Sequence, residues 1–395
     1  MSKLRSVIER EIRERGPIPF SRYMELCLYH PELGYYSRHA AQFGKVGDFY
    51  TSSDVHAVFG RLLARQFDEM WRMLGSPANL RLRELGPGRG LFAQDVLDWS
   101  EKKFPEFFRV LRYELMEQSA ELRERISQTL SRRFENGKAE FAVPPENLHP
   151  STGSGQAFSR TKRARNGAPE NPTIVFANEF FDAVPVEIVS AQGSLRVDCR
   201  DGRFVETWVS TSPEEMEFLD RYSIHPEEED RVEVSLQGQA QMLAASDFEY
   251  GFVVVIDYGY AREEQLAGRH VDTLKAIRQH SVSANPYEAP GEQDITADVN
   301  FTALAGVAEQ RGLHACKLVT QSQFLMGVGE ANQFADAFED CRLPQERAKV
   351  ALQLKHLVTP AGMGESFHVL VASKGIDAAK VSALAGLSFG RRSGV

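Results

Sequence analysis

The sequence predicts an α/β protein built on a parallel, nucleotide-binding sheet, and three stretches point to it. The first is Glu84-Leu85-Gly86-Pro87-Gly88-Arg89-Gly90. Before it, Leu80 and Leu82 alternate with Arg81 and Arg83, the period of a strand. After it, Leu91-Phe92 and Val96-Leu97 recur at the spacing of a helix. The second and third are Thr173–Ala177 and Phe252–Ile256, short apolar runs suited to strands inside a sheet covered on both faces.

The bulk properties set limits. A chain of 395 residues has room for a large core and more than one domain. Its 42% hydrophobic and 26% charged content is that of an ordinary soluble protein. A formal net charge of −9 argues against non-specific nucleic-acid binding and favours a cationic substrate. Cys27, Cys199, Cys316 and Cys341 are scattered without a C-x-x-C pair. They read as reduced thiols in a cytoplasmic protein, with no zinc site. No apolar run approaches the roughly 20 residues of a membrane span. Met1-Ser2-Lys3-Leu4 has no signal core, and Glu9, Glu11 and Glu14 disfavour a transit peptide.

In order along the chain, residues 1–78 read as an N-terminal helical region and lid. Leu4, Val7, Ile8 and Ile12 make an amphipathic stripe closed by Gly16-Pro17. Ser21 is the expected cap of a short second helix. Tyr35 and Tyr36 sit in a turn, and Val55 to Leu74 keep the helical period up to Gly75. Residues 79–185 read as the first part of the nucleotide-binding core. Its strands are expected at about 80–85, 109–117, 139–143 and 173–177, with a helix at 119–130. The polar stretch 145–172 carries Arg160, Lys162, Arg163 and Arg165 and reads as a solvated loop.

Residues 186–250 read as an insertion. A small meander spans 186–209, and Ser212-Pro213-Glu214-Glu215 is a capping box. A further helix is expected at 235–246. Residues 251–374 complete the core with a strand at 252–256, a helix at 300–311, and late strands at His314–Thr320 and Phe367–Ser373. Residues 375–395 form a tail.

The glycine turn indicates its ligand. Backbone N–H groups at a strand-to-helix turn are unpaired, and glycines let a ligand approach them. The dinucleotide fingerprint would put its third glycine at position 91, which is Leu91. The pattern is instead E-x-G-x-G-x-G. Glu84 would repel a pyrophosphate but suits S-adenosylmethionine (SAM), which carries an ammonium and a sulfonium. The strand formed by Leu111, Tyr113 and Leu115 ends at Glu117, an acid placed for ribose hydroxyls. Glu84, Gly86, Gly88, Gly90 and Glu117 are therefore the expected SAM contacts. A nicotinamide cofactor and a ligand-free turn are the competing readings.

Several stretches together resemble the MidA-like SAM-dependent methyltransferases, which include the mitochondrial arginine methyltransferase assisting respiratory complex I assembly. They are Gly47-Asp48-Phe49 with Thr51-Ser52, Glu84–Gly90, Met116–Ser119, Asn178-Glu179-Phe180-Phe181-Asp182, Asp257-Tyr258-Gly259, Asp294–Val299, Gln323–Leu325 and Met363–Glu365. Ser53 stands where the family has proline, and Val184 where leucine is common. The resemblance implies a class I methyltransferase fold, a Rossmann-like seven-stranded sheet in order 3-2-1-4-5-7-6 with strand seven antiparallel. It also implies methylation of arginine in a protein substrate, a respiratory-complex subunit among the candidates.

Methyl transfer mainly requires alignment of nucleophile, carbon and sulfur. Carboxylates orient a guanidinium through paired hydrogen bonds. Glu179 and Asp182, just beyond strand four, are the catalytic candidates, and Asn178 would hold the methionine part of SAM or the substrate. The competing structural role for Asp182 is a helix cap. Phe49, Thr51 and Ser52 are candidates for a lid over SAM, and Asp294 and Thr296 for shaping the substrate pocket. Asp257 reads equally well as a buried structural acid. His270, His280 and His314 lack metal-ligand spacing. The alternative functions are a SAM-binding assembly factor without catalysis and a methyltransferase of small molecules.

Overall fold

The computed structural model describes residues 3–39, 57–142, 171–278, 281–283, 285–330 and 332–389. Thr51, Ser52, the Gly47–Phe49 stretch, His280 and the basic residues Arg160–Arg165 lie outside the described residues.

The main path of the nine-stranded central sheet comprises β1 (Leu80–Leu85), β2 (Leu111–Met116), β3 (Ala139–Phe141), β4 (Thr173–Asn178), β5 (Gly251–Tyr260), β6 (His314–Ala315) and β7 (Phe367–Lys374), with the short strands Val299–Asn300 and Val319–Thr320 added on β5 and β7. Their order is β3-β2-β1-β4-β5-β7-β6. Neighbours from β3 through β5 are parallel, and β7 runs antiparallel to β5. This is the order and strand polarity that the family resemblance implies. β4 and β5 are buried along nearly their whole length, so apolar residues fill both of their faces.

Two strands differ from expectation. Residues 109–110 belong to a helix, Pro105–Val110, because Pro105 sits at its first position with φ already set for a helix. The strand expected over His314–Thr320 is two pieces on β7. His314 pairs with Ser373 but Val319 with Val369, a one-residue shift in register that breaks the ladder between them.

Helices cover both faces of the sheet. Helix α1 (Lys3–Arg15) and helix α2 (Phe20–Tyr29) precede the sheet in sequence, followed by α3 (Val58–Met73), α4 (Leu91–Lys103) and α5 (Ala120–Thr129). On one face α3 and α4 meet the sheet through aromatic rings. Phe92 stacks on Phe176 at 4.5 Å between centroids, and Phe67 meets the same ring edge-on at 5.5 Å. On the other face α7 (Leu236–Ala245) and α8 (Phe301–Gln310), which follow α6 (Pro213–Tyr222), bury Met242, Leu304 and Val307 against Val175, Val253 and Val255.

A second sheet joins segments far apart in sequence. Ile18 and Pro19 pair antiparallel with Val197 and Arg196 of the strand Gly193–Arg200. That strand lies between Glu187–Ser190 and Arg203–Val209, with Val232–Val234 at the edge. Helices α1 and α2 close one side of it, burying Leu4, Ile8, Phe20 and Tyr23 with Ile188, Leu195 and Val197. Within residues 1–78, α1 and α2 therefore pack on the inserted meander, whereas α3 packs on the main sheet.

Ser21 is not the cap expected of it. Pro19 stands at the N-cap, and the Ser21 hydroxyl donates to Glu187 Oε1 at 2.5 Å, fastening α2 to the second sheet. The capping box of α6 forms as expected. Ser212 Oγ accepts from the Glu215 N–H, and Glu215 Oε2 accepts from the Ser212 N–H.

Candidate functional site

The two sheets meet over the carboxyl ends of β1, β2 and β4, where open α/β sheets bind their ligands. A cavity of about 880 Å³ lies there, toward the upper end of the usual range for small-molecule sites. Its walls are Glu84–Arg89 with Leu91 and Phe92, residues Met116–Leu122, Asn178–Phe180 with Asp182–Pro185, and α1–α2 with Tyr36; Gly90, expected as a SAM contact, faces Ile126 and Leu130 instead of the cavity.

The glycine turn is built as its sequence requires. Gly86, Gly88 and Gly90 have φ of 64°, 53° and 76°, a region that costs other residues strain. A Cβ on Gly86 would stand 2.8 Å from the Phe180 ring. A Cβ on Gly88, which lines the cavity, would meet nothing within 4 Å among the described residues. The N-cap of α4 is Gly90, which has no side chain to cap the helix, and among the described residues its first-turn N–H groups have no such cap in the way of a ligand.

Both predicted cofactor acids line the cavity. Glu84 is 4% exposed and accepts from the Tyr113 hydroxyl at 2.8 Å. Burial pushes its carboxyl up to about 8. Glu117 Oε1 accepts from the N–H groups of Gln118 and Ser119, both at 2.8 Å, which fix its direction. Burial raises this carboxyl to about 7, and those two N–H groups oppose the rise. The neighbouring Glu114 is excluded from this role. It is not among the cavity-lining residues, and Arg83 and Arg81 bind its carboxylate. Buried carboxylates with raised pKa values fit a cationic ligand, and an acid aimed from the end of β2 fits a ribose diol.

These shifts set a pH dependence. Glu84 and Glu117 hold protons in the folded chain that they have lost in the unfolded chain above the usual carboxylate range. The native state thus binds more protons between about pH 4.5 and 8, and stability falls as pH rises through that window. The ligand-free melting temperature is expected to drop from about pH 5 to about pH 8.5, and Glu84→Gln to flatten the drop. Scanning calorimetry across that range checks both. A melting temperature rising over the same range would contradict the assignment.

The loop after β4 carries the catalytic candidates. Asn178, Glu179 and Asp182 all line the cavity. Asn178 Nδ2 donates to Glu179 Oε1 at 3.0 Å, and its own Oδ1 is buried without a hydrogen-bond partner among the described residues. Glu179 has φ of 50°, a strained value for this residue. Asp257 holds that shape. Its Oδ2 accepts from the N–H groups of Phe180, Phe181 and Asp182 at 3.1, 2.9 and 3.4 Å. Asp257 is wholly buried and is not among the residues lining this cavity, and its three backbone bonds make it a structural anchor of the loop. Burial, reinforced by the charges of Asp182 and Glu179, keeps its carboxyl well above the usual range.

Asp182 is 5% exposed, and burial raises its carboxyl to about 6. It does not cap a helix, because the chain runs through Pro185 into the strand Glu187–Ser190. Asp294 also lines the cavity, whereas Thr296 is buried behind it. His270 is paired with Asp298 at 2.9 Å and His314 lies on the edge strand β6, both away from the cavity. Sequence reasoning missed the cavity wall made by α1 and α2, with Glu11, Arg22, Glu25 and Tyr29. The Tyr35-Tyr36 pair was its only visible signal.

A family model described as "Putative S-adenosyl-L-methionine-dependent methyltransferase" matches residues 62–319. A Drosophila melanogaster relative, "Protein arginine methyltransferase NDUFAF7 homolog, mitochondrial", is 31% identical, with 94% of this chain and 85% of the relative covered. The Homo sapiens protein arginine methyltransferase NDUFAF7, mitochondrial, is 28% identical over 91% of this chain and 80% of its own length. Among solved structures, a Burkholderia thailandensis protein bound to S-adenosyl-homocysteine superposes with a TM-score of 0.78. It shares 26% identity, with 98% of this chain and 94% of that chain covered.

Proposed function

Because this chain belongs to the MidA-like SAM-dependent methyltransferases, we propose that it transfers the methyl group to arginine in a protein substrate. One observation carries the choice of substrate: among the described residues eight carboxylates line the cavity against two arginines, and with Glu11 and Glu25 paired to Arg22 the remaining excess still favours a cation. The relatives named above as protein arginine methyltransferases support the same reading.

SAM supplies an electrophilic methyl on a sulfonium when bound. Glu84 faces the cationic end of that ligand, and Glu117 its ribose. Glu179 and Asp182 receive the guanidinium through paired hydrogen bonds and draw its charge away from the reacting nitrogen. The proton displaced by methylation passes to a carboxylate of the loop. Asp182, with its carboxyl near 6, suits that transfer near neutrality.

Glu117→Ala is expected to weaken SAM by about 1.5–3 kcal/mol, the scale of charge-assisted hydrogen bonds. The fold should persist, since Glu117 lies beyond the end of β2. Calorimetry reads the change, and an unaltered dissociation constant would take the ribose role away from Glu117.

The substrate reading is tested with labelled SAM and a cognate cell extract, followed by mass spectrometry of labelled proteins. Label on arginine supports it, and label on a small molecule or another residue type replaces it. Absence of transfer in an extract holding its partners favours an assembly factor. A respiratory-complex subunit is the substrate to try first, on the strength of the family resemblance. The proposed compartment is the cytoplasm, supported by four unpaired cysteines and tested by fractionation. Among the described residues, no helix is long and apolar enough to cross a membrane.

A further inference from the structure

We propose that Tyr29, Tyr36 and Asp294 form, together with Asp182, the box that grips the guanidinium, with Asp294 as a further carboxylate beside Asp182 and Glu179. This inference rests on the arginine reading above and names further residues that would contact the substrate.

The two carboxylates come from different elements. Asp182 lies on the loop after β4, and Asp294 opens the strand Asp294–Thr296 of a small three-stranded sheet. Each is 5% exposed. The backbone carbonyl of Asp182 accepts from the Ala297 N–H at 3.0 Å, so loop and strand are fastened side by side.

The aromatic pair stands beside these acids. The Tyr29 hydroxyl donates to the Ala183 carbonyl at 2.9 Å, and the Tyr36 hydroxyl donates to Asp294 Oδ1 at 3.1 Å. Their ring centroids are 5.4 Å apart, with planes tilted by 35°. All four side chains line the cavity. Burial of Tyr36 and the fields of Asp182 and Asp294 hold its phenol well above the usual range; Tyr29, 43% exposed, feels the same two carboxylates and shifts in the same direction. They therefore stay neutral hydrogen-bond donors.

An acidic pocket alone would not specify a ligand. Two phenol rings stand beside the acids, however, and the donors around the Asp182 carboxyl are neutral, the Tyr258 hydroxyl and nearby backbone N–H groups. A buried carboxylate held by neutral donors is costly to ionise, and a cationic N–H donor lowers that cost. A ligand suited to this pocket supplies positive charge, N–H donors in more than one direction, and a flat face for the rings. A guanidinium has five donors in one plane, and its faces lie well on aromatic rings. An ammonium offers the charge without the plane, and a neutral urea offers the plane without the charge.

The test uses full-length protein saturated with S-adenosyl-homocysteine. The probes are N-acetyl-arginine amide, its neutral isostere N-acetyl-citrulline amide, and N-acetyl-lysine amide, each titrated by NMR. The arginine probe is expected to bind and the other two to bind at least about tenfold more weakly. Asp294→Asn should weaken the arginine probe at least about tenfold. Tyr36→Phe, which keeps the ring and its packing, should weaken it several-fold. Affinity for S-adenosyl-homocysteine and the melting temperature should stay as in the parent. Parent-like binding by Asp294→Asn, with loss in Asp182→Asn, would overturn the box and leave the arginine reading intact. A citrulline probe that binds as well as arginine would overturn charge selection. Failure of the parent to bind any arginine probe would overturn both. If Tyr36→Phe lowered stability and S-adenosyl-homocysteine affinity in step with the probe, Tyr36 would be structural only.

Discussion

Gly88→Val is expected to lose SAM affinity by at least about a thousandfold, roughly 4 kcal/mol, in a protein that still folds. The outcome depends on where a side chain would go. At Gly86 it would strike Phe180, so a substitution there disturbs the protein itself. At Gly88 it meets none of the described residues and stands at the cavity wall, so the added atoms would take space from a ligand there. The φ of 53° adds strain of about 1–2 kcal/mol for a residue with a Cβ. That is less than the roughly 5–15 kcal/mol stability of a typical domain. Calorimetry with SAM and S-adenosyl-homocysteine, alongside circular dichroism, separates the two effects. NAD should not compete in the parent protein. A folded variant that binds SAM like the parent would show that the cofactor lies elsewhere.

Glu179→Gln and Asp182→Asn are each expected to lower methyl transfer at least about a hundredfold, or roughly 2.7 kcal/mol of transition-state stabilisation. Both substitutions keep shape and remove the charge that favours a cation. The carbonyl oxygen of the glutamine introduced by Glu179→Gln can still accept from Asn178 Nδ2, so the loop geometry is retained. The three N–H bonds to Asp257 come from the backbone and survive in either variant. SAM affinity should change little, because neither carboxylate is assigned to the cofactor. Single-turnover transfer at saturating SAM, with binding measured on the same samples, gives the comparison. Replacing the target arginine with lysine should also abolish transfer, since lysine lacks the paired planar contacts. Full activity in both variants would remove these acids from the mechanism.

The main sheet was legible because its strands announce themselves locally. Thr173–Ala177 and Phe252–Ile256 are continuous apolar runs, and Glu84–Gly90 carries its turn chemistry in adjacent residues. The glycine-turn wall of the cavity was legible for the same reason. The wall made by Tyr29, Tyr36, Asp182 and Asp294 was not legible as a unit, because these residues lie on four separate segments. Periodicity placed α1 correctly as an amphipathic helix, and a misassigned cap at Ser21 still located α2, but neither says what the apolar faces meet. The pairing of Ile18 with Val197, with the Ser21–Glu187 bond, holds them on the second sheet. Asp257 was ambiguous for a related reason. A strand-end acid looks the same in sequence whether it faces a ligand or binds three backbone N–H groups of a neighbouring loop.

The pairing of Ile18 with Val197 also sets a timetable for synthesis. A ribosome adding roughly 5–20 residues per second makes these two partners about 9–36 s apart. Through that interval Leu4, Ile8, Ile12 and Phe20 have no sheet to cover them. The nascent chain thus displays a sticky helical pair long before its docking surface exists. Closing so long a loop is also slow compared with local helix formation. The main sheet can form its early strands without waiting, but the wall over the substrate cannot. Catalytic competence is therefore acquired late, and holdase chaperones that shield apolar helices would act on this chain during that delay.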